Sequence, residues 1–229
     1  MSDNQLTYKI HDVLNPVVWE EGAIKPEIRR KLINLAYFWL QESTLPQSML
    51  QDIILTGSSA GYNYTKYSDI DLHLIVDKDV IGCEKIVDDY LFDKKKIFGE
   101  NHNIKIENHD VEVYAQDYRE KFPKGESVYS LLNEKWIIKP KKEKVNLSNP
   151  KLLKKARYYK KLVKFLIAEG NIKKMMKFKE KIRKMRQSGL DEYGEFAPEN
   201  IVYKELRNLG LLEKLNDRLN YLIDKRYSI

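Results

Sequence analysis

From Asp69 to Asp77 the chain reads D-I-D-L-H-L-I-V-D. Alternation this strict leaves little choice of backbone. Only an extended strand, whose successive side chains leave opposite faces, sorts these residues cleanly. Ile70, Leu72, Leu74 and Val76 then point one way, and Asp69, Asp71 and His73 the other. Upstream, residues 52–57 read D-I-I-L-T-G, an apolar run closed by glycine, which predicts a second, buried strand. The polar and aromatic stretch S-S-A-G-Y-N-Y-T-K-Y-S joins the two.

Around this pair the pattern is mixed. Pro26 suits the first position of a helix and Glu27 its positive end, so a helix is expected from Pro26 to about Glu42. Ile28, Leu32, Leu35, Ala36 and Trp39 form its stripe. Ile33, Tyr37, Phe38 and Leu40 widen that stripe enough to predict cover on most sides. Residues 80–98 read as a helix carrying Ile86, Tyr90 and Ile97. Residues 103–117 read as two strands about a turn at Asn108-His109, and residues 127–140 as a hairpin turning at Asn133-Glu134. A lysine-rich segment with proline at each end, K-P-K-K-E-K-V-N-L-S-N-P, marks a boundary. Beyond Pro150 the period is helical: one helix ended by Glu169-Gly170-Asn171, a second from Ile172 to about Gln187, a third from Pro198 to Gly210, and a fourth from Leu211 to about Asp224. The expected fold is α+β: a small mixed sheet with flanking helices over residues 1–140, then an all-helical domain over residues 150–229.

The two parts differ sharply in charge. From Lys135 to Arg186 there are 20 Lys+Arg and 3 Asp+Glu, a local balance of +17 in a chain of net +7, which leaves −10 elsewhere. Such asymmetry suggests an anionic partner, although a lysine-rich helical face also serves plain solubility. On the helix after Pro150, Lys154, Lys155, Arg157, Lys160, Lys161 and Lys164 are expected opposite the apolar stripe. No apolar run approaches the ~18 residues that cross a bilayer, and the first residues lack a secretory pattern. The single cysteine, Cys83, excludes an internal disulfide and reads as an ordinary thiol. The histidines at 11, 73, 102 and 109 have no zinc-site spacing. A reducing, cytoplasmic compartment is the default expectation.

The chemistry-bearing residues cluster on the strand pair. Asp69 and Asp71, two apart on a strand, send both carboxylates from one face, where they repel unless a cation lies between them. Magnesium takes hard oxygen ligands and completes its shell with substrate phosphates. Gly57-Ser58, directly after a strand, lets backbone N–H groups and a hydroxyl approach a phosphate. A strand, a Gly-Ser turn and a second strand bearing D-x-D therefore build a metal–triphosphate site.

G-S followed by D-x-D eleven residues on, Ser58 to Asp69, resembles the active-site motif of the nucleotidyltransferase superfamily, the fold of DNA polymerase β. The longer string T-G-S-S-A-G-Y-N-Y-T-K-Y-S-D-I-D-L-H, with Q-S-G-L-D-E-Y-G-E-F-A-P-E-N-I-V-Y-K-E-L-R-N-L-G later, is similar to uncharacterised nucleotidyltransferases of large bacteriophages, for which the compartment would be the host cytoplasm. The resemblance implies a third carboxylate from a later strand. Asp110 and Glu112 both fit, and Glu112, between Val111 and Val113, is preferred. It also implies magnesium-dependent transfer of a nucleoside monophosphate from NTP to an acceptor hydroxyl, releasing pyrophosphate. Asp69, Asp71 and Glu112 would hold two magnesium ions, or manganese in their place. Gly57, Ser58, Ser59 and Lys66 would lie along the nucleotide.

Each residue also has a structural reading. Ser58 fits a helix N-cap, Lys66 a solvated lysine, and His73 a structural hydrogen bond. Tyr62, Tyr64 and Tyr67 fit aromatic packing as well as base stacking. The acceptor is an RNA 3′ end, a protein hydroxyl or a small molecule, and the basic half favours RNA. Two other readings stand beside this one: an antitoxin-like enzyme that nucleotidylates a partner protein, and a nucleotide- or nucleic-acid-binding module without turnover.

Overall fold

The computed structural model describes residues 5–82 and 84–228. Cys83 lies outside the described residues. The chain divides into two units: one runs from Ile10 to Phe122 with Glu126–Lys142, and the other takes the N-terminal residues up to Lys9, Pro123–Gly125 and the chain from Glu143 onward.

The first unit opens with a two-residue hairpin, β1 (Trp19–Glu20) and β2 (Ala23–Ile24), followed by α1 (Pro26–Glu42). Then come β3 (Leu50–Thr56), β4 (Ile70–Val76), α2 (Glu84–Asn101), β5 (Lys105–Ile106), β6 (His109–Asp117), β7 (Val128–Ser130) and β8 (Lys135–Ile138). The described residues pair six of these strands in the order β5-β6-β4-β3-β7-β8. β4 and β6 run parallel, joined through α2, and the other neighbours are antiparallel. The sheet is thus mixed and the class α+β.

The alternation in β4 has the expected consequence. Ile70, Leu72, Leu74 and Val76 are fully buried in one core with Ile53 and Leu55 of β3. Ile28, Leu32, Ala36 and Trp39 of α1 and Val87 and Leu91 of α2 belong to the same core. Each such aliphatic side chain contributes about 1.5–3 kcal/mol by leaving water. On the opposite face Ile54, Ile75 and Val128 form a small second cluster.

Several expectations shift on contact with tertiary structure. On α1, Tyr37 and Phe38 are exposed, not covered, and Phe38 meets Phe98 and His102 edge-on. On α2, Ile86 and Ile97 are exposed, while Val87, Leu91 and Phe98 are the buried set, because α2 offers the core a different face from the one its apolar count suggested. The β5–β6 turn is Glu107-Asn108, one residue earlier than expected, and both residues have positive φ (48° and 68°), the twist that a two-residue antiparallel hairpin needs.

The second unit holds α3 (Pro150–Glu169), α4 (Ile172–Tyr193), α5 (Pro198–Asn208) and α6 (Leu211–Tyr227). Asn149 and Asn171 cap α3 and α4 through their side chains, and Gly170 and Gly210 take left-handed backbone at helix ends. α4 continues two turns past the expected stop. Its interior Gly189 permits a close approach there: a Cβ would lie 2.7 Å from Glu199 Cβ and 3.1 Å from Ala197 Cβ, so glycine lets the start of α5 pack against α4. The lysine face of α3 is less uniform than its sequence. Lys154, Lys161 and Lys164 are exposed, but Lys155 pairs with Glu199, and Lys160 pairs with the fully buried Glu205 at 3.3 Å. Glu205 also accepts hydrogen bonds from the backbone of Thr7 and Tyr8 and from the Thr7 hydroxyl. Those two lysines are part-buried in ion pairs within the helical unit, 32% and 13% exposed.

Candidate active site

β3 ends at Thr56, and Gly57 follows with φ +70°, a backbone region that favours glycine. The turn does more than exploit that freedom. A Cβ on Gly57 would fall 1.9 Å from Asp71 Oδ2 and 2.8 Å from its Cγ, so the Asp71 carboxylate occupies the space a side chain at residue 57 would need. The register explains the approach: Asp71 pairs across β3 with Thr56 and across β6 with Glu112. Two of the expected carboxylates therefore share a rung of adjacent parallel strands. Asp69 immediately precedes β4, two residues before Asp71.

The segment between Gly57 and Asp69 is fastened by its own hydroxyls. Ser58 begins a single 3-10 turn, Ser58–Ala60, with no side-chain cap, so it does not act as the N-cap of a helix. Its hydroxyl donates to Ser68 Oγ at 2.8 Å, and Ser68 Oγ accepts from the Thr65 N–H at 2.9 Å. Ser59, fully buried, donates to the Asp69 carbonyl at 2.7 Å. His109 Nδ1 lies 2.6 Å from the Ser68 carbonyl, an arrangement in which that nitrogen donates. Ser58 and Ser59 thus set where Asp69 sits. Ser68 and His109, which sequence reasoning did not single out, complete the fastening.

Lys66 is exposed, with its ammonium 4.7 Å from the centre of the Tyr67 ring. Tyr64 stacks on His11 at 3.9 Å, and Tyr62 carries Lys142 at 5.1 Å. His73 shares the carboxylate face but is occupied: Nδ1 contacts Gln116 Oε1 at 2.6 Å, and burial pushes its pKa down, which favours neutral imidazole. It is a structural hydrogen-bonding residue.

Both candidates for the third carboxylate have cations. Asp110 pairs with Lys105 at 2.7 Å, beside the hairpin turn. Glu112, 51% exposed, pairs with Lys95 of α2 at 3.2 Å, and Lys95 also lies 5.2 Å from the Tyr114 ring centre. Lys95 carried no sequence signal, because on a charged helix nothing separates it from Lys94 and Lys96.

The donor set suits a hard divalent cation, since its members are carboxylates. Asp69 and Asp71 fit: they lie two apart on one face, and Asp71 is seated against Gly57. Glu112 is in register but turned to Lys95, and among the described residues no three His, Cys, Asp or Glu side chains converge to hold a metal. No helix of the described residues is long and apolar enough to cross a membrane.

No protein-family model matches the chain. No curated protein matches it. Among solved structures, the STING-associated CdnE c-di-GMP synthase from Capnocytophaga granulosa is similar at 17% identity and a TM-score of 0.25, over 90% of this chain and 70% of that one.

Proposed function

We propose that this chain is a magnesium-dependent nucleotidyltransferase, moving a nucleoside monophosphate from NTP to an acceptor hydroxyl and releasing pyrophosphate. The observation that carries the reading is the seat of Asp71 in the space left by Gly57, beside Asp69 and in register with Glu112. A carboxylate that merely decorated a solvated strand would not need a glycine beneath it.

In this reading Asp69 and Asp71 hold magnesium, or manganese in its place, and Glu112 joins them. Magnesium held there would neutralise charge that builds up during the transfer. The triphosphate lies along the Gly57-Ser58 turn, where the bare Cα lets the backbone come close. Ser58 and Ser59 keep that turn and Asp69 in place through their bonds to Ser68 and the Asp69 carbonyl. Lys66, at the exposed rim, meets phosphate. The acceptor oxygen bonds to the α-phosphorus as the α–β anhydride bond breaks; pyrophosphate leaves with the electron pair, and the hydroxyl proton passes to the Glu112 carboxylate. Positioning and charge account for most of the rate in chemistry of this type.

An RNA end is the acceptor we favour. On α3, Lys154, Tyr158, Lys161 and Phe165 recur at helical spacing on one face, and both rings are exposed (56% and 58%). Exposed rings between lysines suit stacked bases and backbone phosphates. Incubation with each α-labelled NTP, magnesium and RNA oligonucleotides tests the proposal. Label in lengthened RNA is expected. Label in protein or in a small product moves the acceptor, and no label in any product from any NTP contradicts the proposed function.

A further inference from the structure

Where the last turn of α6 meets the first turns of α4, a groove of about 620 Å³ opens to solvent. Lys173 and Lys177 of α4 and Arg226 of α6 line it, and all three are exposed. None of them has an ion pair among the described residues. Among the described residues the lining holds one acid, Glu180. That carboxylate pairs at 2.7 Å with Lys184, which lies outside the groove. The lining therefore presents three uncompensated cations, and an anion is what it selects. Lys155 and Lys160 of α3 differ, since Glu199 and Glu205 neutralise them. The groove also has an apolar side. Met176 and Tyr227 line it at 55% and 73% exposed, and the Arg226 guanidinium lies 5.5 Å from the Tyr227 ring centre.

We propose that this groove binds single-stranded nucleic acid, with phosphates against Lys173, Lys177 and Arg226 and a base stacked on Tyr227. An exposed ring beside backbone-binding cations is the arrangement that holds unpaired strands with little regard to sequence. A duplex keeps its base faces inside the stack and leaves the ring without a partner. An anionic membrane surface calls for a broad apolar face beside the lysines. Among the exposed residues of α4 from Lys173 to Lys184, Met176 is the single apolar one. An acidic peptide would satisfy the cations and leave the ring unused. The site goes beyond the nucleotidyltransferase reading and does not depend on it: the groove lies within the helical unit, and binding there needs neither metal nor NTP.

Fluorescence anisotropy of a labelled, unstructured uridine oligonucleotide, without metal or NTP, tests the groove in the full chain. Lys173→Gln/Lys177→Gln/Arg226→Gln should weaken binding about tenfold or more. It should also flatten the dependence of log affinity on log salt by about 2, at roughly 0.7 for each lost phosphate contact. Lys179→Gln/Lys181→Gln/Arg183→Gln removes the same charge from α4 outside the groove and should stay within about threefold of the wild type. Tyr227→Ala should weaken binding about fivefold or more, the scale of one stacked base, while Tyr227→Phe binds as the wild type. Every substituted side chain is exposed, so helical circular dichroism should be unchanged throughout. Equal losses in the two triple variants, unchanged binding in Tyr227→Ala, or equal affinity for the same strand paired with its complement overturns the proposal. So does polyglutamate, or a phosphatidylserine vesicle, that displaces the label as well as unlabelled oligonucleotide does; the groove would then belong to an acidic peptide or a membrane. Failure of the nucleotidyl-transfer assay alone leaves these binding results as stated.

Discussion

The parallel strands β4 and β6 carry acidic residues at both ends, and the two ends are built differently. At the Val76–Asp117 end, Asp79, Asp88, Asp117 and Glu120 each meet a cation. Asp117, nearly fully buried, accepts from Arg119 Nε at 2.6 Å, from the Arg119 N–H at 2.9 Å and from the Lys78 N–H at 3.3 Å. Lys78, itself buried, donates to Asp88 at 2.5 Å and Glu120 at 2.9 Å, and Arg119 reaches Asp79. At the Asp71–Glu112 end one carboxylate is pressed against a glycine and the other rests in a water-exposed pair. The contrast teaches that one strand pair can hold its charges at different depths: Asp117 and Lys78 are buried in a linked hydrogen-bond network at one end, and Glu112 lies in an ion pair open to water at the other.

The largest expected effect comes from disturbing the second end at its tightest point. Gly57→Ala puts a methyl group where the Asp71 carboxylate lies and also forces positive φ on an L-residue. Stability should fall by about 1–3 kcal/mol, the cost of holding an L-residue in this glycine-favouring backbone, while the carboxylate swings aside. That swing misplaces it, so nucleotidyl transfer should drop about 10²-fold or more, the scale of a 1 Å error at a reacting centre. Steady-state kinetics alongside thermal unfolding checks the split. A large loss of stability with normal turnover would erase the distinction between the two ends.

Asp117→Asn probes the other end and should do the reverse. Losing a carboxylate that accepts several charge-assisted bonds should cost about 1.5–3 kcal/mol of stability per such bond at most, with NTP affinity unchanged. Arg119 beside it holds the Asp117 carboxyl far below the ordinary carboxylate range. The sign follows: the unfolded chain takes up the proton near pH 4 and the folded chain only well below it, so this contribution is full above about pH 4 and is lost as the pH falls further. Urea midpoints from pH 2 to 7 should therefore show a shallower acid limb in Asp117→Asn than in the wild type.

The smallest effect sharpens the assignment on β6. Glu112→Gln should lower turnover at least about tenfold more than Asp110→Asn, because Glu112 shares a rung with Asp71 whereas Asp110 is paired with Lys105 at the hairpin. The opposite ranking would transfer the role to Asp110.

Much of this was legible in the chain because it depends on local period. The alternation of residues 69–77 placed the strand, its buried face and both aspartates. Pro26, Pro150, Pro198, Gly170 and Gly210 marked helix ends through backbone restrictions that act within a few residues. What stayed hidden depends on distant partners. Ile86 and Ile97 are as apolar as Val87 and Leu91, and only the docking of α2 decides which pair is covered. Lys155 and Lys160 look like their neighbours until Glu199 and Glu205 are brought alongside. Gly57 was readable as a turn glycine, but its contact with Asp71 required the β3–β4 register, and Lys95 required the α2–β6 packing.

The proposed function depends on Asp69 and Asp71 as metal-holding carboxylates. NTP affinity measured by titration with and without magnesium, in the wild type and in the folded Asp69→Asn/Asp71→Asn double variant, tests that most directly. Magnesium should tighten NTP binding to the wild type by about tenfold or more and leave the double variant unchanged, and the variant should be no less stable without metal, since the repulsion between the two charges is gone. A folded double variant that keeps the full magnesium-dependent gain would contradict the account.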